Sequence, residues 1–325
     1  MKTLTTQEYV DGILAGNKIV LSRAITLLES TKAEHNALAR EVIEEVLPHT
    51  GKSLRIGITG VPGVGKSTFI EAVGEYALQD GKLAVLAIDP SSQKSKGSIL
   101  GDKTRMESLT GREDTFIRPS PAGDALGGVG RKTRETILLC EAAGFDTIFI
   151  ETVGVGQSEI SVHSMVDCFL LLMLPGAGDE LQGIKRGIME MADIIAINKA
   201  ENERERLANQ SARNYKNALH LMPPTDSGWI PKVMTCAAEH DIRIDKVWQT
   251  IQDFSNHQKV KGFFEQKRSE QNLFWFKETI QQHLFAQFYG KESIKQQIAT
   301  LSDQVKVGEI SSFKAADELI KTFFS

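Results

Sequence analysis

Residues Gly60–Thr68 read GVPGVGKST, and Gly60, Gly65, Lys66 and Ser67 occupy the fixed positions of G-x-x-x-x-G-K-[ST], the loop that wraps nucleotide phosphates. Upstream, Leu54 to Thr59 (LRIGIT) is an apolar run of strand length; downstream, Phe69 to Leu78 has helical spacing. Strand, loop and helix in that order are the context the motif requires. Glycines are needed because the backbone must come close to the phosphates and aim successive N–H groups at them, which a Cβ would obstruct. The anion then sits at the positive end of the following helix. Gly60, Val61, Pro62, Gly63, Val64, Gly65, Lys66, Ser67 and Thr68 are therefore the candidate phosphate site, with Lys66 reaching the β- and γ-phosphates and the Ser67 hydroxyl ligating Mg²⁺.

Working outward, strand-length apolar runs alternate with helical segments from Leu54 to about Ala238. The spacing predicts strands at Leu54 to Thr59, Leu83 to Asp89, Asp146 to Glu151, Cys168 to Leu174, Ile194 to Asn198 and Lys232 to Cys236. Runs such as CFLLLML are what strands buried on both faces require. Alternation with helices implies right-handed crossovers and a doubly wound, mostly parallel α/β sheet of the P-loop type. Ligands in such sheets collect at the carboxyl ends of the strands. Asp89 and Glu151 close two of these strands and Asp102 lies in GDKTRM; all three join Ser67 as candidate oxygen ligands for Mg²⁺. Lys66, Asp89 and Glu151 are the candidate catalytic groups.

Asn198, Lys199 and Glu201 nearly match N-K-x-D, in which the amide and carboxylate read a guanine edge and the lysine stem lies along the ring. A site built to hydrogen-bond one base rejects another because buried groups are left unpaired. Glu201 is one methylene longer than the usual Asp and still accepts two bonds if the loop shifts. Cys236, Ala237 and Ala238 follow another strand and complete the expected GTP/GDP site. Three glycine-rich stretches lie between these landmarks: Pro121 to Arg131, Gly154 to Glu159, and Pro175 to Gly187, the last carrying Asp179, Glu180, Lys185 and Arg186. Loops of this kind near a γ-phosphate are natural switches.

Two helical regions flank the core. Residues 1–50 show three- and four-residue apolar steps ending at Pro48 and Gly51, and should pack on the flank of the nucleotide domain, 51–257. From 258 to 325 the chain is again helical, and GFFEQKRSEQNLFWFKETIQQHLFAQFYG holds six of the fifteen phenylalanines. A helix that apolar needs a partner surface, either its own core or a second subunit.

The chain has 325 residues, 41% hydrophobic and 25% charged, and a net charge of −4. No basic field points to nucleic acid or a membrane surface, and no run of about 18 apolar residues spans a bilayer. Cys140, Cys168 and Cys236 are scattered and read as buried thiols in a reducing, cytoplasmic compartment. The seven histidines make no metal-ligand pair.

Taken together, GVPGVGKST, IDPSS, GDKTRM, LGGVGRKTRE, ETVGVGQSE, PGAGDELQGIKRG and NKAE, in that order, resemble the MeaB/ArgK family of P-loop GTPases over essentially the whole chain. The resemblance implies a GTPase with Mg²⁺ as cofactor that is slow alone and stimulated by its partner. It also implies a homodimer formed through the C-terminal arm, and a cobalamin-dependent acyl-CoA mutase, methylmalonyl-CoA mutase or a close relative, as client. Such a protein gates adenosylcobalamin delivery and protects or reactivates the mutase. The 175–187 loop, with Asp179, Glu180, Lys185 and Arg186, becomes the switch that senses the partner. Glu201 for the usual Asp and Gly130 for a frequent Ala are the departures. A kinase or transport-coupled ATPase would instead read adenine, and a metal-inserting GTPase would carry a His-rich tract or paired cysteines.

Overall fold

A computed structural model of the chain describes residues 4–89, 106–121, 126–152, 158–176 and 186–324. Asp102, Asp179, Glu180, Lys185 and most of the three glycine-rich stretches lie outside the described residues. The strands are β1 (Leu54–Gly60), β2 (Leu83–Asp89), β3 (Thr115–Pro121), β4 (Thr147–Thr152), β5 (Cys168–Met173), β6 (Ile194–Ile197) and β7 (Lys232–Thr235). Among the described residues the α-helices are α1 (Thr6–Leu14), α2 (Lys18–Glu29), α3 (Ala33–Val46), α4 (Lys66–Ala77), α5 (Leu126–Ala142), α6 (Ser158–His163), α7 (Arg186–Met191), α8 (Glu205–His220), α9 (Ile244–Val260), α10 (Phe263–Gly290), α11 (Glu292–Lys306) and α12 (Ser312–Phe324). Residues up to Gln271 form one compact unit and Asn272–Ser325 a second.

In the first unit the seven strands make one sheet in the order β3-β2-β4-β1-β5-β6-β7. Every pairing is parallel. β4, β5 and β6 are buried along their whole length, as their unbroken apolar runs demand when helices cover both faces. The strand order reverses around β1: the chain leaves it toward β2 and later crosses it between β4 and β5. That reversal opens the crevice in which sheets of this kind bind ligands, and the GVPGVGKST loop leaves β1 there.

The sheet has one strand more than the spacing predicts. β3, TFIRPSP, holds Pro119 and Pro121, which argue against a strand because each removes an N–H donor. β3 is the edge strand beside β2, and two prolines two residues apart strip donors from one side only, which an edge tolerates.

In the structure the helical prefix packs against α5 and the edge strand. α1 begins with a reciprocal cap: Glu8 N donates to Thr5 Oγ1 at 3.2 Å and Thr5 N to Glu8 Oε2 at 2.7 Å. Tyr9, Ile13, Leu21, Ile25, Val42 and Val46 form its buried face. Glu29 of α2 pairs with Arg118 of the edge strand at 2.5 Å, and its carbonyl accepts from Lys132 of α5 at 3.0 Å. In the second unit the C-terminal amphipathic stretch is two helices, parted at residues 307–311 where Gly308 adopts φ +77°. Lys291 Nζ donates to Phe323 O at 2.8 Å and lies 4.4 Å from the Phe323 ring centre, tying α12 back to the end of α10.

Candidate functional site

Two glycines in the loop after β1 hold backbone conformations that other residues adopt only under strain: Gly63 at φ +78° and Gly65 at φ +87°. Gly60 is fixed by proximity instead, since a Cβ there would come within 2.5 Å of Leu172 O in β5. Gly65 is the N-cap of α4, so its unpaired N–H groups and positive dipole end face the loop's hollow. Val64 is fully buried in the core, and Val64 N donates to Val61 O at 3.2 Å. The loop is thus anchored at its middle, while Pro62 and Gly63 at its tip are exposed. Ser67 and Thr68 lie in the first turn of α4.

Lys66 is part-buried and its ammonium donates to Gly60 O at 3.0 Å. Burial pulls its pKa below the usual lysine value, while the carboxylates of Glu151 and Glu159 act in the opposite sense. Glu151 is 5% exposed, and β4 places it in register with Ile58 of β1 and Ala87 of β2. One residue on, Thr152 Oγ1 donates to Thr59 Oγ1 at 2.7 Å in a buried bond between the two strands. Asp89 is the last residue of β2. The sheet therefore brings the ends of β1, β2 and β4 side by side, with Lys66 and Glu151 within electrostatic reach of each other.

On the other side of β1, Asn198 follows β6 and is 2% exposed. Its Nδ2 donates to Val64 O of the phosphate loop at 2.9 Å, and its Oδ1 accepts from Ala238 N at 3.0 Å and from Cys236 Sγ at 3.8 Å. Lys199 takes a left-handed backbone conformation at φ +59°, which costs a non-glycine residue on the order of 1 kcal/mol. Its Nζ reaches Gly63 O at 2.8 Å. Ala200 N donates to Cys236 O at 2.9 Å, and Arg243 bridges Thr235 O and Ala200 O at 2.9 and 3.4 Å. Three loops far apart in sequence, 60–65, 198–201 and 236–238, are locked into one wall by a single amide and a few backbone bonds. Glu201 is the last residue of the 198–201 turn and is half-buried. Its Oε2 is buried with no hydrogen-bond partner, and its Oε1 lies 3.9 Å from Arg204 Nη1.

The structure brings together the expected phosphate loop, Glu151, Asn198, Lys199, Glu201 and the Cys236–Ala238 turn, and it places Arg186 as the first residue of α7. Burial pushes the Cys236 thiol up to about 12, so it acts here as a neutral, weak donor. All three cysteines are free and buried. Sequence reasoning missed Glu159, which is fully buried at the start of α6 and bears on Lys66. Its only signal was an acid closing the glycine stretch of ETVGVGQSE.

A protein-family description, "Methylmalonyl Co-A mutase-associated GTPase MeaB", matches residues 21–293. A putative GTPase of Caulobacter vibrioides is 47% identical over 312 residues, covering 96% of this chain and 95% of its own. The mouse methylmalonic aciduria type A homolog, mitochondrial, is 43% identical over 334 residues, covering 98% of this chain and 80% of its own. A solved structure described as a LAO/AO transport system kinase superposes with a TM-score of 0.78 at 34% identity, covering 100% of this chain and 99% of that one. The phosphate-loop motif with its flanking strand and helix, the tethered 198–201 turn and these near-full-length likenesses agree, and the chain belongs to the family of the methylmalonyl Co-A mutase-associated GTPase MeaB.

Proposed function

We propose that this chain binds GTP in the crevice between the phosphate loop and the 198–201 turn, and that hydrolysis there controls a cobalamin-dependent acyl-CoA mutase. In this reading it gates adenosylcobalamin delivery and protects or reactivates the client. The family's description, which names methylmalonyl Co-A mutase, supports the mutase as partner, and the mouse relative's name points to methylmalonate chemistry. The observation that carries the nucleotide half is the base-side wall. Asn198 ties the phosphate loop to the Ala238 turn, and Glu201 offers a buried acceptor that lacks a donor. Leaving such a group unpaired costs about 1–3 kcal/mol. The N1–H and amino group of guanine are two donors that relieve that cost after a small rotation of the side chain, whereas adenine presents a bare N1 acceptor at that edge. This favours GTP over the adenine nucleotide that a kinase would use.

The residues then take these roles. Backbone N–H groups of the loop and of the N-terminus of α4 donate to the phosphate oxygens, and Lys66 turns from Gly60 O to the β- and γ-oxygens. The Ser67 hydroxyl and the Glu151 carboxylate are hard oxygen donors that suit Mg²⁺, with Asp89 and Asp102 completing the proposed set. The ion, when bound, neutralises charge on the transferring phosphoryl group. Glu151, buried beside Lys66, orders the water side of the γ-phosphate; water adds to phosphorus, the bond to the β-oxygen breaks, and GDP and phosphate leave.

The homodimer is proposed to form through the C-terminal arm, where Phe276 and Phe285 are 62% and 60% exposed. Asp179, Glu180, Lys185 and Arg186 are proposed to sense the client. The test is the GTPase rate with and without purified methylmalonyl-CoA mutase, for the wild type and for Lys185→Ala. The expected result is stimulation in the wild type and loss of stimulation, with unchanged basal rate, in the variant. Equal rates with and without the mutase would refute the client assignment.

A further inference from the structure

The first turns of α10 are fastened to Val166 and Asp167, and through Arg268 also to Gly51 O and Ser53 O. Gln271 Nε2 donates to Val166 O at 2.8 Å, Lys267 Nζ to Asp167 O at 2.8 Å, and Arg268 Nε and Nη2 to the two Asp167 carboxylate oxygens at 2.8 and 2.7 Å. Asp167 is itself stitched to the start of β1: its N–H donates to Arg55 O at 2.8 Å, and its Oδ2 accepts from Arg55 N at 2.8 Å. Val166 and Asp167 end the turn that directly follows α6, and that turn is closed by Met165 N to Val162 O at 3.0 Å and Ser164 Oγ to Ser161 O at 2.7 Å.

The other end of α6 faces the nucleotide site. Glu159, in its first turn, has no exposed surface and is one of two carboxylates whose charge is felt by Lys66. Between these ends α6 lies flat on β1: a Cβ at Gly57 would sit 2.9 Å from Val162 Cγ1, so the strand leaves no room for even a methyl group beneath the helix. His163 closes the helix with its ring edge-on to Phe169 of β5 at 5.5 Å. A contact packed this tightly does not absorb a displacement; it passes it on.

We propose that α6 and the turn through Asp167 form a rod that carries the state of the phosphate loop to the root of the C-terminal helices, so that the γ-phosphate and the α10 anchor at Lys267, Arg268 and Gln271 bias each other. This rests on the nucleotide reading above. Because coupling between two sites is reciprocal, loosening the anchor must change nucleotide binding in the state-dependent part and leave the rest alone. Lys267→Met and Gln271→Leu each remove one bond to the turn while preserving the Arg268–Asp167 pair and the helical propensity of α10, and neither residue lies near the loop.

The experiment uses the full chain. Binding of GDP and of a non-hydrolysable GTP analogue is measured for the wild type, for Lys66→Ala and for the Lys267→Met, Gln271→Leu double variant, with hydrogen exchange of residues 263–271 followed in each nucleotide state. The expected result is slower exchange at 263–271 with the triphosphate than with the diphosphate. In the double variant the ratio of triphosphate to diphosphate affinity should move at least fivefold, at unchanged GDP affinity. Binding that depends on Lys66, with exchange and affinity ratio both unmoved, overturns the coupling while leaving the nucleotide site intact. Absence of any nucleotide binding overturns both.

Discussion

Lys66 contributes little to the core, because its one visible bond is to a loop carbonyl and the chain around it is held by Val64 and α4. Lys66→Ala should therefore keep the melting temperature within a few degrees while GTP affinity falls about 10- to 100-fold, the range of one or two charged hydrogen bonds. Equilibrium binding beside a thermal melt checks it, and undiminished GTP binding would contradict the loop assignment. His163 makes a different prediction at the same scale. Burial first, and the Lys267 charge second, push it from 6.5 to about 4, so the folded state holds it neutral. Its stabilising contribution is full above pH 6.5 and is lost as pH falls toward 4, about 2 kcal/mol of it between pH 7 and pH 5. Denaturant unfolding of wild type and His163→Gln at both pH values should show a smaller pH loss in the variant. Identical pH dependence would contradict the buried neutral ring.

Among the elements, β1, β2, β4, β5, β6 and β7 were legible because continuous apolar runs of strand length have few other uses, and their observed ends lie within a residue or two of those expected. β3 was not, because Pro119 and Pro121 speak against a strand unless its edge position is known, and position in a sheet is not a local property. The candidate site was legible where chemistry is written in consecutive residues, as in GVPGVGKST and NKAE. It was not legible where one side chain serves distant partners: nothing near Asn198 in sequence announces its bonds to Val64 and Ala238. The root of α10 is a further case. Arg268 reaches Asp167, Gly51 O and Ser53 O and lies 3.9 Å from Glu141, which in turn pairs with Arg55 at 2.8 Å. Both carboxylate side chains are nearly closed to water, at 3% and 0% exposure. Arg268→Leu should destabilise the protein by about 3 kcal/mol, because removing one partner of a buried pair strands the other charge. Unfolding in denaturant reads this; a loss under 1 kcal/mol would contradict the network.

For the whole molecule, that anchor decides where the arm can be cut. A chain ending near residue 260 would lose Arg268 and damage the first unit, so a chain ending at Gln271, the boundary between the two compact units, is the cleaner test of assembly. Light scattering should show a dimer for the full chain and a folded monomer for the shortened one. A shortened chain that stays dimeric would place the interface elsewhere. The proposed nucleotide site and the Lys267, Arg268 and Gln271 anchor both lie within the first unit, so the shortened chain should bind nucleotide as the full one does. The wall built by Asn198, Lys199 and Glu201 against the phosphate loop is proposed to select guanine. In side-by-side titration of the full chain with fluorescent GTP and ATP analogues, GTP should bind at least tenfold tighter; equal or tighter binding of ATP would overturn that selectivity.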